Sequence, residues 1–148
     1  MSTYSQILCH IIISTKNREH TLTKPFREKF YKFFWGYLES MHCQVFRVGG
    51  YSDHFHIVAG IHSSMSMEYL VNEIKKASSR HIKALGLFPD FKGWQNGFAV
   101  FSFGLNEKEA LINYVKNQET LHAGLTFSDE LMGMLKEHKI QFDAKDFF

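Results

Sequence analysis

Asp53-His54-Phe55-His56-Ile57-Val58-Ala59 is a short apolar run carrying two histidines at positions i and i+2. Successive side chains on a β-strand point to opposite faces. The run therefore predicts a strand with His54 and His56 on one face and Phe55 and Ile57 in the opposite layer. Two imidazoles held side by side on a rigid strand are half of a metal site, and a cation needs at least one ligand more. Without that ligand the pair reads as one core histidine and one surface histidine.

Outward from this strand, Gln44 to Val48 reads as its upstream partner. Gly49-Gly50 serves as a flexible turn, and the histidine strand runs to about Ile61, so the two strands form a hairpin. Downstream, Ser66 caps a helix with Glu68 in its first turn. Met67, Leu70, Val71, Ile74 and Ala77 mark the buried side of that helix. Its other side is Lys75, Lys76, Ser78, Ser79, Arg80, His81 and Lys83, a basic and hydroxyl-rich composition suited to a phosphate backbone. A solvated helix face has the same composition. Gly86 to Pro89 ends the helix, and Trp94-Gln95-Asn96-Gly97 turns the chain into a further strand, Phe98 to Phe103.

Upstream of the hairpin, Thr23-Lys24-Pro25 opens a helix with a hydroxyl cap and a first-turn proline. Phe26, Phe30, Phe33, Phe34, Tyr37, Leu38 and Met41 then form one broad stripe, which reads as core. Ser5 to Ser14 is a β-branched run too continuous to have a wet face, hence a central strand. The polar loop Thr15 to His20 follows it, and there Lys16 and Arg18 could hold phosphates or simply be solvated. Strand, helix, strand, strand, helix, strand is the order of a ferredoxin-like, RRM-like α+β sandwich, an antiparallel sheet with helices on one face. The other face is expected to be open to a nucleic acid or a second subunit.

Beyond the last strand, Asn106-Glu107-Lys108-Glu109 resembles a capping box that opens a helix over about 106–120. Ala110, Tyr114 and Gln118 fall at i, i+4 and i+8 on one face of it. Ser128 caps a short helical tail over about 128–148, with Leu131, Met132 and Leu135, then Ile140 and Phe142. The whole chain, 1–148, reads as one domain.

Composition narrows the classes. The chain has 148 residues and a formal charge of +2, too little for a generic nucleic-acid glue while leaving room for a local basic face. Cys9 and Cys43 stand apart, without the close spacing of a metal or redox pair, and a reducing, cytoplasmic setting follows most simply. No apolar run approaches transmembrane length and the N-terminus lacks a signal pattern, so no membrane role is expected.

Gln118 supplies the missing third ligand if its helix docks near His54 and His56, and Tyr114 lies one turn before it. A phenol is a weak nucleophile near neutrality because its pKa is about 10. A metal that polarises a phosphoryl oxygen lowers the barrier to its attack, and the product is a tyrosyl phosphodiester.

At these residues the chain resembles the IS200/IS605 family of transposases, single-strand-specific enzymes of the HUH class. His54-Phe55-His56 is similar to the histidine, hydrophobic residue, histidine motif. Tyr114-Val115-Lys116-Asn117-Gln118 is similar to the nucleophile helix, in which Gln follows Tyr by four residues. Gly93 through Ser102 resembles the family's stretch before the last strand. The tail from Thr126-Phe127 through Glu130-Leu131, His138, Ile140 and Phe142-Asp143 is similar to IS200-like members. Ser52, before Asp53, departs from the proline of many relatives and reads as a turn variation.

The resemblance implies a metal-dependent transposase in which Tyr114 attacks single-stranded DNA, leaving a 5′-phosphotyrosine link and a free 3′-OH that can be rejoined without ATP. His54, His56 and Gln118 would hold a divalent ion, Mg²⁺ or Mn²⁺. Two imidazoles on their own chemistry suit Zn²⁺ better, so the metal's identity rests on the resemblance. It also implies hairpin binding at element ends and a homodimer in which the tyrosine helix of one subunit completes the other's site. Lys75, Lys76 and Arg80, with Lys16 and Arg18, are the candidate DNA contacts. Glu119 and His122 read as helix surface, and His10 as either a support of the site or core. The rival readings are a non-catalytic module gripping structured single-stranded DNA or RNA, and an HUH replication initiator or relaxase.

Overall fold

The β-branched run near the N-terminus forms strand β1 (Leu8–Ser14), and six of its seven residues are buried. It takes an interior place in a four-stranded sheet with β2 (Gln44–Tyr51), β3 (His54–Gly60) and β4 (Ala99–Ser102). The order is β2-β3-β1-β4 and every pairing is antiparallel. With α1 (Phe26–Ser40) between β1 and β2, and α2 (Met67–Leu85) between β3 and β4, this is the α+β sandwich expected from the element order. The computed structural model describes residues 1–147, so Phe148, the end of the expected tail, lies outside the described residues. The chain divides into two compact units, Met1–Gln118 and Glu119–Phe148.

In the first unit, alternation along the strands sorts the side chains into two layers. Cys9, Ile11 and Ile13 of β1 and Phe55, Ile57 and Ala59 of β3 join Phe30, Phe34 and Leu38 of α1 and Leu70, Val71 and Ile74 of α2 in one core. Phe30 is its hub, with ring centroids 4.8 Å from Phe34, 5.2 Å from Phe55 and 5.4 Å from Phe88. Ser66 caps α2 by accepting from the Tyr69 amide, and Gly86 ends it in the left-handed conformation. The opposite alternation sends His10, His54 and His56 to the second face. That face was expected to be open, but α3 (Lys108–Lys116) packs against β2 and β3.

Several local expectations are corrected. Gly49 and Gly50 belong to β2, and the hairpin turns at Ser52-Asp53. Thr23 stands outside α1, whose cap position is Pro25 behind a cis Lys24–Pro25 bond. Asn106 lies within a 3-10 turn, Leu105–Glu107, so Glu107 takes the cap position of α3 with no side-chain cap. The expected helix over 106–120 is broken at Asn117, and Gln118 begins the separate short helix α4 (Gln118–Leu121).

In the second unit, α5 (Phe127–Glu137) is capped by Thr126, whose hydroxyl accepts from the Asp129 amide at 3.2 Å. Ser128, the expected cap, is already inside the helix. Both cysteines are buried thiols, and burial pushes the pKa of each upward. Among the described residues, no helix is long and apolar enough to cross a membrane.

Candidate functional site

The turn at Ser52-Asp53 sets the register of the whole site. Across the hairpin Tyr51 pairs with His54 and Gly49 with His56, while β1 sets Ser14 opposite His54 and Ile12 opposite His56. His54 and His56 thus sit on the strand between two paired neighbours, wholly buried, with ring centroids 4.9 Å apart. The turn is tied down from outside: the Asp53 carbonyl accepts from the Thr15 amide at 2.9 Å, and the Ser52 carbonyl from Leu22 at 2.9 Å.

Glycine at 49 lets α3 approach. A Cβ there would lie 2.8 Å from the Val115 carbonyl oxygen and 2.9 Å from its Cγ1, so any larger residue pushes the helix off the sheet. Val115 is the neighbour of Tyr114. We expect Gly49→Ala to cost about 1–3 kcal/mol of stability through overpacking. It should also move Tyr114, which urea unfolding and near-ultraviolet dichroism would detect together.

Each strand histidine is held through Nδ1 by a different partner. The Nδ1 of His54 is 2.7 Å from Asp53 Oδ1, and its Nε2 is 2.8 Å from Gln118 Oε1. The Nδ1 of His56 is 2.7 Å from His10 Nε2. Tyr114 places its ring edge-on to both of the latter, with centroids 5.9 Å from His56 and 6.4 Å from His10. Within one chain, therefore, β1, β3, α3 and the start of α4 bring His10, His54, His56, Tyr114 and Gln118 together. The break at Asn117 does not prevent Gln118 from reaching His54.

This donor set fits a divalent cation. With the Nδ1 proton of His54 given to a carboxylate, Nε2 carries a lone pair that faces another acceptor, the Gln118 oxygen, and a shared cation satisfies both. At 2.8 Å apart, these two atoms are close enough for a single divalent cation to be held by both. Asp53, which sequence reasoning did not place in the site, is buried. Its position just before a histidine on the tight turn was the available signal.

In the second unit, His122 is not helix surface as expected. Its side chain and that of Glu130 are each only 2% exposed, with Nε2 3.1 Å from Glu130 Oε1 and Nδ1 2.6 Å from the Leu125 carbonyl. Glu119 is exposed, as expected.

The basic candidates separate by environment. Lys16 and Arg18 flank Asn17 on a 3-10 turn after β1, and the segment Gly93–Gly97 joins that turn to α2. The Lys16 amide donates to Gly93, the Asn17 amide to the Gln95 side chain at 2.8 Å, and the Gln95 amide to Ser14. Lys75 clamps the same segment from α2: its Nζ donates to the carbonyls of Gln95 at 2.9 Å and Gly97 at 2.6 Å, and burial lowers its pKa. Ser78, expected on the exposed basic side, is buried and receives the Trp94 indole N–H at 2.9 Å. His81 lies flat on Phe33, with ring centroids 4.0 Å apart. Lys76 and Arg80 remain exposed, Lys76 beside Glu73 at 3.5 Å. Lys75→Met is expected to cost about 1–2 kcal/mol in thermal or urea unfolding by removing two charge-assisted hydrogen bonds.

None of the curated proteins compared matches this chain. Among solved structures, a protein described as a transposase of Deinococcus radiodurans R1 superposes with a TM-score of 0.63 at 18% identity, over 80% of this chain and 95% of that one. A REP-associated tyrosine transposase bound to a REP hairpin superposes with a TM-score of 0.60 at 15% identity, over 84% of this chain and 76% of its own. At such identities these likenesses show the shared fold. The family model described as "Transposase IS200 like" matches residues 3–118, a span that takes in the sheet, the histidine pair, Tyr114 and Gln118, and the chain belongs to that family.

Proposed function

We propose that the protein is a metal-dependent HUH transposase that cleaves and rejoins single-stranded DNA through a 5′-phosphotyrosine intermediate. The observation that carries this reading is the approach of Gln118 Oε1 to His54 Nε2 at 2.8 Å, with half-buried Tyr114 edge-on to the buried His56 beside them. His54, His56 and Gln118 would hold the ion, Mg²⁺ or Mn²⁺. When bound there, it would polarise the scissile phosphate and offset the charge that develops on it.

The remaining steps belong to the chain's own groups. The Tyr114 phenol oxygen forms the new bond to phosphorus and loses its proton to solvent. The bond from phosphorus to the 3′ oxygen breaks, and that oxygen takes up a proton to become the free 3′-OH. Asp53 holds the His54 ring, and Gly49 lets α3 bring Tyr114 close enough to matter. Reversal with a different 3′-OH rejoins the strand, since one phosphodiester is exchanged for another.

Lys16, Arg18, Lys76 and Arg80 are the proposed phosphate contacts, and Lys75 supports them by fixing the segment that links their two elements. A hairpin at the element end is the proposed ligand, and the relative solved with a REP hairpin lends support to that choice. A homodimer is proposed as the working assembly. The two buried thiols suit a reducing compartment, and we place the activity in the cytoplasm.

The test is a denaturing gel with labelled single strands from both flanks of the gene, in Mg²⁺ or Mn²⁺ and in chelator. A covalent protein-DNA band that needs the metal is the expected result. Tight binding of the flanking hairpins with no adduct, on either strand and in either metal, would replace this reading with a non-catalytic binding module.

A further inference from the structure

We propose that His10 is a positioning residue that sets the tautomer of His56, an inference that rests on the ligand role proposed above for His56. Two neutral imidazoles 2.7 Å apart, His10 Nε2 and His56 Nδ1, can share a hydrogen bond in only two ways. If His10 Nε2–H donates, His56 carries its own proton on Nε2 and has no lone pair there for a cation. If His56 Nδ1–H donates, His56 Nε2 carries the lone pair that ligation of a cation requires, and His10 must be the Nδ1–H tautomer. Only the second arrangement is compatible with His56 as a ligand.

The fold holds His10 firmly in this place. It is 4% exposed on interior strand β1, paired with Val58 on one side and Phe101 on the other. Its ring lies 4.9 Å from that of His56 with planes 25° apart, and it is flanked by Phe101 at 6.2 Å and by Tyr114. The partner of His54 is a carboxylate, whereas the partner of His56 is a second imidazole. A neutral acceptor directs the His56 proton without placing another negative charge beside an incoming phosphodiester. The site thus has one carboxylate-backed and one imidazole-backed ligand.

The test is Mn²⁺ binding, followed by electron paramagnetic resonance without DNA, for the wild type, His10→Gln and His10→Phe. Gln offers an acceptor oxygen near the position of Nε2, whereas Phe keeps the ring volume and removes the acceptor. His10→Phe is expected to weaken Mn²⁺ binding by about 10- to 100-fold, the usual cost of losing a ligand's hydrogen-bond partner, with His10→Gln staying close to wild type. Equal affinity in all three proteins, or equal loss in both variants, would overturn the assignment. The wild type alone provides a second measurement, since long-range ¹H–¹⁵N spectra of the histidine rings report the tautomers directly. Nδ1–H on both His10 and His56 is expected, and Nε2–H on His56 would overturn the inference. Wild-type protein that binds no Mn²⁺ at all would instead remove the proposed ligand set, which separates the two failures.

Discussion

Replacing Tyr114 with phenylalanine is expected to abolish covalent attachment to DNA while leaving DNA binding intact. Phenylalanine keeps the ring that lies edge-on to His56 and His10, so the packing of α3 against the sheet survives. Only the nucleophilic oxygen is lost. Stability should change by at most about 1 kcal/mol, the worth of one hydroxyl's hydrogen bonding. Cleavage should fall on the order of 10⁴-fold or more, the scale on which enzymes register the loss of a covalent nucleophile. The readouts are the denaturing gel for the adduct and a native shift assay for binding, run on the same strands. An adduct that persists in this variant would move the nucleophile elsewhere.

The second large effect is expected for His56→Ala. Truncation removes a proposed ligand and also leaves His10 without the ring 2.7 Å from its Nε2. Mn²⁺ affinity should fall by more than the roughly 10- to 100-fold that a lost hydrogen-bond partner costs, because here the ligand atom itself is gone. Metal-dependent cleavage should disappear with it. His56 is wholly buried, so the cavity will destabilise the protein by about 2 kcal/mol or more. Circular dichroism must therefore accompany the assay, at a temperature where the variant is still folded. Full cleavage by folded His56→Ala in chelator would take the metal out of the mechanism.

The contrast between these residues and Gly49 shows where sequence reading reached and where it stopped. Local alternation made the faces of β3 legible: Phe55 and Ile57 join the helical layer, and His54 and His56 face the other way. The Phe30, Phe34 and Leu38 face of α1 and the Ser66 cap of α2 were readable for the same reason, since both depend on residues within one or two turns of each other. Phe26, expected in the same stripe, is instead exposed, and Arg27 takes the buried place in the first turn. The Gly49-Gly50 pair has a turn's composition yet lies inside β2, because glycine serves both flexibility and close approach. The sequence carries no sign of Val115 arriving from more than sixty positions away.

The basic residues illustrate the same limit. Their grouping on α2 was visible, but the commitment of Lys75 to two backbone carbonyls of the Gln95–Gly97 segment depends on a contact across the fold. The burial of His122 beside Glu130 was likewise invisible, because the two are eight positions apart with a helix start between them.

The sequence by itself determined the element order, hence the α+β sandwich, and it determined that two histidines share one face of a strand. Both are consequences of short-range periodicity, which the backbone geometry of strands and helices imposes wherever the side chains allow. The tertiary structure alone decided which nitrogen of each histidine is engaged, that Asp53 and His10 are the groups engaging them, and that Gln118 still reaches His54 after the helix breaks. Those facts rest on strand register and on the docking of α3 at Gly49, where atoms distant in the chain meet within hydrogen-bond distance, and no local pattern encodes such a distance.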